Sequence, residues 1–271
     1  MAEILFGKPV AEEIAKKFCQ NTQSLQLKLI TLGFSQPQWL QYTNSVQKSA
    51  QTLGVLVENV LADGATPEEF CKLAAQLSAR ADVDGVMLQQ PLSGEFAQAV
   101  NFVDTKKDVD CLNPLSVAKL YLGQPCLPPA TPLAVLNLLD FYKIDLAGKN
   151  VVIVGRGNAV GKPLALLMLK RNATVTVCHT KTVDLPSVCK KADIIVSACG
   201  VAGLITADFV TEKSVVVDVG LSFVNGKTCG DVAQEVQQIT QAVSPVPGGV
   251  GPITRMALFE NLLSARKANT K

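Results

Sequence analysis

Residues 148–182 read GKNVVIVGRGNAVGKPLALLMLKRNATVTVCHTKT, and this stretch decides the fold. The apolar, β-branched run at 151–154 predicts a strand that is buried on both faces. Residues 164–169 are apolar and favour a helix, and 173–178 predicts a second strand. The stretch therefore indicates one strand–helix–strand unit of a parallel sheet.

Three glycines fill the turn between the first strand and the helix. Gly155, Gly157 and Gly161 stand where a sharp turn leaves backbone N–H groups free to bind an anion. Their spacing is GxGxxxG rather than the GxGxxG of the dinucleotide fingerprint, but the strands and helix around them favour a dinucleotide site. The alternative interpretation is an ordinary tight turn between a strand and a helix.

The residues after the second strand bear on the choice of coenzyme. An NAD site usually has an acidic residue there, which holds the ribose 2′-hydroxyl. This chain has His179, Thr180, Lys181 and Thr182 instead, with Arg156 in the glycine turn. A basic, hydroxyl-rich corner suits a 2′-phosphate, so the sequence favours NADP over NAD. His179 is the single histidine of the chain, and backbone groups could equally well satisfy it, so no mechanism here rests on a histidine base.

Composition and charge exclude several classes of protein. The chain has 271 residues, enough for two domains, and 48% of them are hydrophobic. The net charge of +2 gives no argument for a nucleic-acid partner. We find no secretory leader and no apolar run long enough to span a membrane. The eight cysteines form no CxxC pair, which predicts reduced thiols in a cytoplasmic protein and no metal site.

The first half of the chain alternates strands and helices. Strands are predicted at 4–6, 27–32, 55–61 and 83–88, and helices at 10–18, 39–53 and 67–81. Thr66, Pro67 and Glu69 predict a capping box at the start of the third helix. This alternation predicts an α/β domain with a parallel sheet, whose ligands bind beyond the carboxyl ends of the strands.

A proline-rich junction at 128–132 separates this half from the dinucleotide-binding half. We expect Thr131 to cap the next helix and Pro132 to start it. Further strands are predicted at 192–199 and 214–219. The loop 245–252 reads PVPGGVGP, which offers exposed amides to a flat ligand, and a last helix is predicted at 253–266.

Polar residues stand where two segments of the first half end. Gln89 follows the strand at 83–88, and Asp108 and Asp110 follow a possible strand end. Residues at i and i+2 of an extended chain point to opposite sides, so only one of the two carboxylates faces a given ligand. Taken alone, these are equally well explained as solvated loop residues.

Several motifs together resemble the FolD family of methylenetetrahydrofolate dehydrogenase/methenyltetrahydrofolate cyclohydrolases. The motifs are GRGNAVGKP at 155–163, TVCHTKT at 176–182, KDVD at 107–110, DGVMLQQPL at 84–92 and PVPGGVGP at 245–252. The resemblance implies two α/β domains with a cleft between them: a folate-binding catalytic domain at 1–127 with the helix 253–271, and a Rossmann-type NADP-binding domain at 128–252. It also implies a homodimer formed through the cofactor domain.

The resemblance also implies which residues bind the ligands. The implied catalytic and folate-binding residues are Tyr42, Gln89, Asp110, Pro247, Gly248 and Gly249. The implied cofactor-binding residues are Gly155, Arg156, Gly157, Gly161, His179, Thr180, Lys181 and Leu221.

One residue of the family's catalytic motif is missing. The family has a lysine four positions after the tyrosine and a glycine twelve positions after it. Tyr42 and Gly54 keep the second spacing, but the position of the lysine is Val46. Lys48 is near, yet residues i and i+6 lie about 120° apart around a helix, against about 40° for i and i+4. We therefore expect Lys48 to point away from the face of Tyr42.

The sequence departs from the family elsewhere too. Trp39 stands for a serine before the tyrosine, Cys111 for a glycine, Gly157 for a serine and Arg255 for a small or apolar residue. We predict NADP-dependent oxidation of 5,10-methylenetetrahydrofolate with a severely weakened cyclohydrolase step. The alternatives are a non-catalytic folate- or nucleotide-binding relative, a fully bifunctional enzyme that uses Lys48, and a dehydrogenase of the same fold acting on another substrate, against which the Pro/Gly loop and Asp110 argue.

Overall fold

A computed structural model of the chain describes residues 1–224 and 226–269. The strands are β1 (Glu3–Ile4), β2 (Lys28–Gly33), β3 (Leu56–Leu61), β4 (Gly85–Leu88), β5 (Asn150–Val154), β6 (Thr174–Cys178), β7 (Ile194–Ser197), β8 (Val215–Asp218), β9 (Ser222–Val224), β10 (Lys227–Cys229) and β11 (Ala242–Val243). The helices are α1 (Gly7–Asn21), α2 (Pro37–Leu53), α3 (Pro67–Ala79), α4 (Pro114–Tyr121), α5 (Ala130–Phe141), α6 (Gly161–Lys170), α7 (Leu185–Lys190) and α8 (Val250–Asn269).

The chain forms two compact α/β units. The three-stranded unit contains residues 14–130 and the chain from 257 onward, and the six-stranded unit contains 1–13 and 131–256. Among the described residues, no helix has both the length and the apolar character needed to cross a membrane. The predicted two-domain α/β class is confirmed, and the predicted domain limits stay a prediction.

The three-stranded unit is built on a parallel sheet in the order β3–β2–β4. A short bridge between Val86 and Asp108 adds the chain at 107–108 beside β4. The buried core on this sheet contains Ile30, Leu32 and Phe70, and the ring of Phe34 stacks on Phe70 at 4.9 Å. All these strands end at one edge, which is where ligands bind in sheets of this kind.

The six-stranded sheet has the order β1–β11–β8–β7–β5–β6 and is parallel throughout. Its central strands are fully buried, as the apolar run at 151–154 predicted. The strand at 4–6 was assigned to the first domain, but β1 pairs with β11 at the edge of this sheet. A strand of two residues carries too little pattern to identify its sheet from the sequence.

Most predicted elements are present, but several helices begin earlier than predicted. Thr131 was expected to cap α5, yet the helix begins at Ala130 and Thr131 is its second residue. The last helix begins at Val250 instead of residue 253, and α2 begins at Pro37 instead of Trp39. A proline fits anywhere in the first turn of a helix, because the N–H that it lacks would have no partner there. It therefore marks a helix start only to within a turn.

The capping box at the start of α3 is confirmed. The backbone N–H of Glu69 donates to the Thr66 hydroxyl at 3.3 Å, and the Glu69 carboxylate accepts from the Thr66 N–H at 2.8 Å. The bond from the Thr66 N–H, together with one that the Thr66 hydroxyl donates to the Glu69 carboxylate at 3.0 Å, lowers the pKa of Glu69. The box fixes the first turn of a helix that packs Phe70 and Ala74 into the core of the three-stranded unit.

Replacing Thr66 tests the contribution of the box to stability. We expect Thr66→Ala to lower the free energy of unfolding by about 1 kcal/mol, because one N–H in the first turn of the helix loses its acceptor. The measurement is urea denaturation followed by circular dichroism. Thr66→Ser keeps the hydroxyl and serves as the control. Equal stability of the alanine variant and the wild type would contradict this role.

Candidate functional site

Gln89 joins the carboxyl ends of two neighbouring strands in the three-stranded unit. It follows β4 directly, and its backbone N–H donates to Leu32 O at 2.8 Å. Its side-chain Oε1 accepts from the Phe34 N–H at 2.7 Å, just after β2. Its Nε2 donates to Gln36 Oε1, also at 2.7 Å. The Gln89 side chain is buried, so these bonds hold its amide in one orientation.

Helix α2 runs from this edge and carries the tyrosine of the motif. Tyr42 is half-buried, and its ring centroid lies 6.2 Å from that of Trp39 at an interplanar angle of 31°. Val46 is 0% exposed and belongs to the buried face of the helix, whereas Lys48 is exposed. The side chain four positions after Tyr42 is thus a buried aliphatic one, and Lys48 is directed to solvent.

Trp39 lies on the same buried face and reaches the end of β2. It is 7% exposed, and its indole Nε1 is buried without a hydrogen-bond partner among the described residues. A Cβ on Gly33 would clash with both this nitrogen and Gln89 Oε1, so the two atoms pack against the same backbone position. The absence of a side chain at residue 33 therefore lets the indole and the amide approach β2 together.

Asp108 and Asp110 differ in their partners, although the chain at 109–110 forms a turn and not the extended segment that the spacing argument assumed. Asp108 is buried and accepts from the N–H groups of Leu112 at 3.0 Å and Asn113 at 2.8 Å, which stabilises the turn that leads into α4. Asp110 accepts from the Ala130 N–H at 3.2 Å. Cys111 next to it has φ 55°, a conformation that glycine adopts freely, which explains why the family has a glycine there.

Burial raises the pKa of Asp110 to about 6, although the bond from Ala130 opposes the shift. The negative charge of Asp108 raises the pKa further. The Asp110 carboxyl therefore changes its charge near neutral pH, and a ligand that donates hydrogen bonds to it would favour the ionised form.

Sequence reasoning missed two residues that position this edge. Asn261 of α8 is buried, and its Nδ2 donates to Val109 O at 2.8 Å and to Pro128 O at 2.6 Å, which fixes the backbone beside Asp110. Gln36 is exposed and holds Gln89. A polar residue inside the apolar pattern of the last helix was the available signal for Asn261, whereas nothing in the sequence singled out Gln36.

The glycine turn of the six-stranded unit packs closely against neighbouring backbone. Gly155 has φ 120°, and a Cβ there would lie 2.5 Å from Ala198 O. A Cβ on Gly161, at the first residue of α6, would clash with Gly155 O. Gly157 has no such requirement, since a Cβ there would meet nothing within 4 Å. Two of the three glycines are thus needed for the close passage of strand into helix.

The end of β6 is polar and exposed. The His179 Nδ1 accepts from the Lys181 N–H at 3.1 Å, and the His179 N–H donates to the Thr182 hydroxyl at 2.9 Å. The histidine is therefore satisfied by its own turn, which agrees with the backbone interpretation. Thr180, Lys181 and Arg156 are exposed.

The Pro/Gly loop packs against the start of α1 within the six-stranded unit. The Gly7 N–H donates to Gly248 O at 2.8 Å, and a Cβ on Gly7 would clash with Gly249 O. Gly248 has φ 108°, and Pro247 is exposed. Two backbones are in contact here, which explains the glycine at 7, and a Cβ on Gly249 would itself lie 2.5 Å from Pro245 O.

Two buried carboxylates, Asp218 and Asp231, shape the loops beside the glycine turn, and the sequence analysis did not single out Asp231. Asp231 accepts from the Ser197 hydroxyl at 2.8 Å and from the N–H groups of Cys199 and Val201, both at 2.7 Å. Asp218 accepts from the N–H groups of Gly220 and Asp231, and burial raises its pKa to about 6. Leu221 is exposed after this network. These bonds hold the loops after β7 and β8 in place.

Metal ligation has no candidate site here. Within 1–224 and 226–269, no three His, Cys, Asp or Glu side chains are grouped so that they could hold a metal ion. The site residues are thus an amide, two carboxylates, aromatic rings and backbone amides. They suit hydrogen bonding, stacking and anion binding.

Two family models match the chain in succession. The model described as the tetrahydrofolate dehydrogenase/cyclohydrolase catalytic domain matches residues 5–110, and the model of its NAD(P)-binding domain matches residues 129–270. The second match identifies the glycine turn and the exposed end of β6 as parts of an NAD(P)-binding domain.

Known proteins of this kind are similar over nearly the whole chain. The bifunctional protein FolD of Clostridium perfringens (strain SM101 / Type A) is 42% identical over 273 residues, which cover 97% of this chain and 98% of that protein. The structure of the bifunctional FolD enzyme from Campylobacter jejuni has a TM-score of 0.93 at 35% identity and covers 99% of this chain and 100% of its own.

A third relative was solved with its coenzyme. The structure of Trypanosoma brucei methylenetetrahydrofolate dehydrogenase-cyclohydrolase, complexed with NADP cofactor and inhibitor, has a TM-score of 0.92 at 28% identity and covers 100% of this chain and 99% of its own. On these matches, the chain belongs to the tetrahydrofolate dehydrogenase/cyclohydrolase (FolD) family.

Proposed function

We propose that this protein oxidises 5,10-methylenetetrahydrofolate to 5,10-methenyltetrahydrofolate with NADP and hydrolyses the product poorly. The observation that carries the proposal is the state of Gln89 and α2. Val46 is buried where the family has its lysine, Lys48 is exposed, and both ends of the Gln89 amide are already bonded to Phe34 and Gln36.

The two steps make different demands on the protein. The first transfers a hydride from the methylene carbon to the nicotinamide, and it depends mainly on holding the two carbons together. In the second, water adds to the methenyl carbon, a ring C–N bond breaks, and one proton is released. That step needs a group that moves protons, and a valine side chain can neither donate nor accept one. The loss of the lysine therefore affects the second step selectively.

The remaining residues suit folate binding. Tyr42 offers a half-buried ring against which a pteridine can stack. The Asp110 carboxylate is an acceptor for the N–H donors of a pteridine ring. Pro247, Gly248 and Gly249 offer a loop with close backbone packing, which supports the resemblance to the family's ligand loop.

We also propose a homodimer and a cytoplasmic location. The resemblance implies a homodimer formed through the cofactor domain, and Phe223 and Val224 in the six-stranded unit expose apolar side chains. No disulfide joins cysteines within the described residues, and several cysteines are buried in the cores, which supports a cytoplasmic location.

Separate assays of the two steps test the proposal. We expect robust NADP reduction with methylenetetrahydrofolate. Hydrolysis of methenyltetrahydrofolate should be slower than this reduction by a factor of about 100 or more, which is the usual scale of general acid–base catalysis. Lys48→Ala is the informative variant, because it should change neither rate. Comparable rates for both steps, with hydrolysis lost in Lys48→Ala, would establish the fully bifunctional alternative. Binding of both ligands without turnover would establish the non-catalytic one.

The pH dependence of folate binding tests the role of Asp110. The ionised carboxylate accepts hydrogen bonds and the protonated one loses that capacity in part, and the pKa is about 6. The affinity for tetrahydrofolate, measured by anaerobic calorimetry, should therefore rise between pH 5 and 7 and level off above. Asp110→Asn should bind more weakly at pH 7 and lose this dependence. A variant that kept the same pH profile would exclude Asp110 as its source.

The coenzyme preference is tested at the exposed end of β6. We expect Lys181→Ala to raise the KM for NADP about tenfold while leaving the KM for NAD nearly unchanged, because only NADP carries the 2′-phosphate. Lys190→Ala, an exposed lysine on α7 of the same unit, is the matched control. Equal effects of Lys181→Ala on both coenzymes would argue against a 2′-phosphate contact.

A further inference from the structure

We propose that Trp39 is a specificity-determining residue, whose indole forms a dry wall beside the Gln89 amide and keeps water away from the reacting carbon. This inference rests on the proposed function, because it takes Gln89 to lie at the folate-binding edge. It adds a second cause for poor hydrolysis, which is independent of the missing lysine.

The indole nitrogen gives the first line of evidence. It belongs to a side chain that is 93% buried, since Trp39 is 7% exposed, and the nitrogen itself is buried and has no hydrogen-bond partner in the part of the chain that the structure describes. A buried N–H without a partner is unfavourable, and a nearby water would normally satisfy it. The packing around this nitrogen thus closes the space beside it to water.

The second line of evidence is the position of that space. The missing Cβ of Gly33 would meet the Trp39 nitrogen and Gln89 Oε1 at once, so the closed space adjoins the Gln89 amide. Gln89 is itself only 3% exposed. Water that was to be activated next to this amide would have to displace the indole.

The third line of evidence is the geometry of α2. Trp39 and Val46 lie seven residues apart, close to two full turns, and both belong to the buried face of the helix. The Thr43 hydroxyl between them is turned back onto Trp39 O at 3.0 Å and offers no donor to the site. The buried face therefore carries no titratable group from Trp39 to Val46, and restoring a lysine alone would place an ammonium group against this wall.

Four variants test the inference: Val46→Lys, Trp39→Ser, the double variant, and Trp39→Phe combined with Val46→Lys. Both activities are measured on each variant, and the ratio of hydrolysis to oxidation is compared, because a folding defect lowers both rates together. We expect Val46→Lys alone to raise this ratio no more than a few-fold. The double variant should raise it at least tenfold further, whereas phenylalanine at 39 keeps a ring in place and should hold the ratio low.

Two outcomes separate this inference from the proposed function. Fast hydrolysis by the wild-type protein would overturn the proposed function itself. Slow hydrolysis by the wild type, together with a full gain from Val46→Lys alone, would overturn only the role of Trp39.

A measurement on the wild type does not depend on the folding of any variant. Trp39 is the single tryptophan of the chain, so its fluorescence and its indole N–H resonance are unambiguous. A dry wall predicts weak quenching by acrylamide and slow exchange of the indole proton with deuterium oxide. Strong quenching and exchange within the dead time would overturn the inference.

Discussion

The hydrogen bond from the Phe34 N–H to the Gln89 side chain is the constraint on which the account of this site depends. It joins the carboxyl ends of β2 and β4, and the second bond, to Gln36, extends the connection to the chain that leads into α2. A buried amide with both ends bonded is fixed in orientation. It follows that the residues of α2 face a rigid partner, and a change on that helix alters the chemistry of the site without a change of fold.

Three residues of α2 illustrate how this helix can alter the site while the fold is kept. Val46 removes a titratable group, Trp39 adds a large apolar ring, and Lys48 remains outside on the solvent side. Meanwhile the six-stranded unit keeps the close-packed glycines at 155 and 161 and the loop contact between Gly7 and Gly249. Two of the departures, Trp39 and Val46, thus lie on the buried face of α2, whereas Gly157 and Arg255 belong to the six-stranded unit.

Several features of the fold and the site could be predicted from the sequence, because they depend on residues that are close together in the chain. The buried strand at 151–154, the glycines after it and the capping box at Thr66 each follow from short-range rules, and the structure has them all. The position of Val46 against Lys48 follows from helix geometry alone. The starts of α5 and α8 were misplaced, because a proline fits several positions in a first turn.

Long-range partners could not be read from the sequence. Pairing of β1 with β11, the bonds from Asn261 to Val109 and Pro128, and the Asp231 network each join residues that are far apart in the chain. The contact of Trp39 with the space beside Gln89 also depends on Gly33, whose role appears only once α2 is packed on the sheet.

The most direct test of oxidation without hydrolysis follows a ¹³C-labelled one-carbon unit by NMR during a single time course with NADP, at mildly acidic pH and against an enzyme-free blank. We expect the methylene signal to be replaced by an accumulating methenyl signal. The formyl signal should appear only at the rate seen without enzyme. Prompt formation of formyl without methenyl accumulation would contradict it.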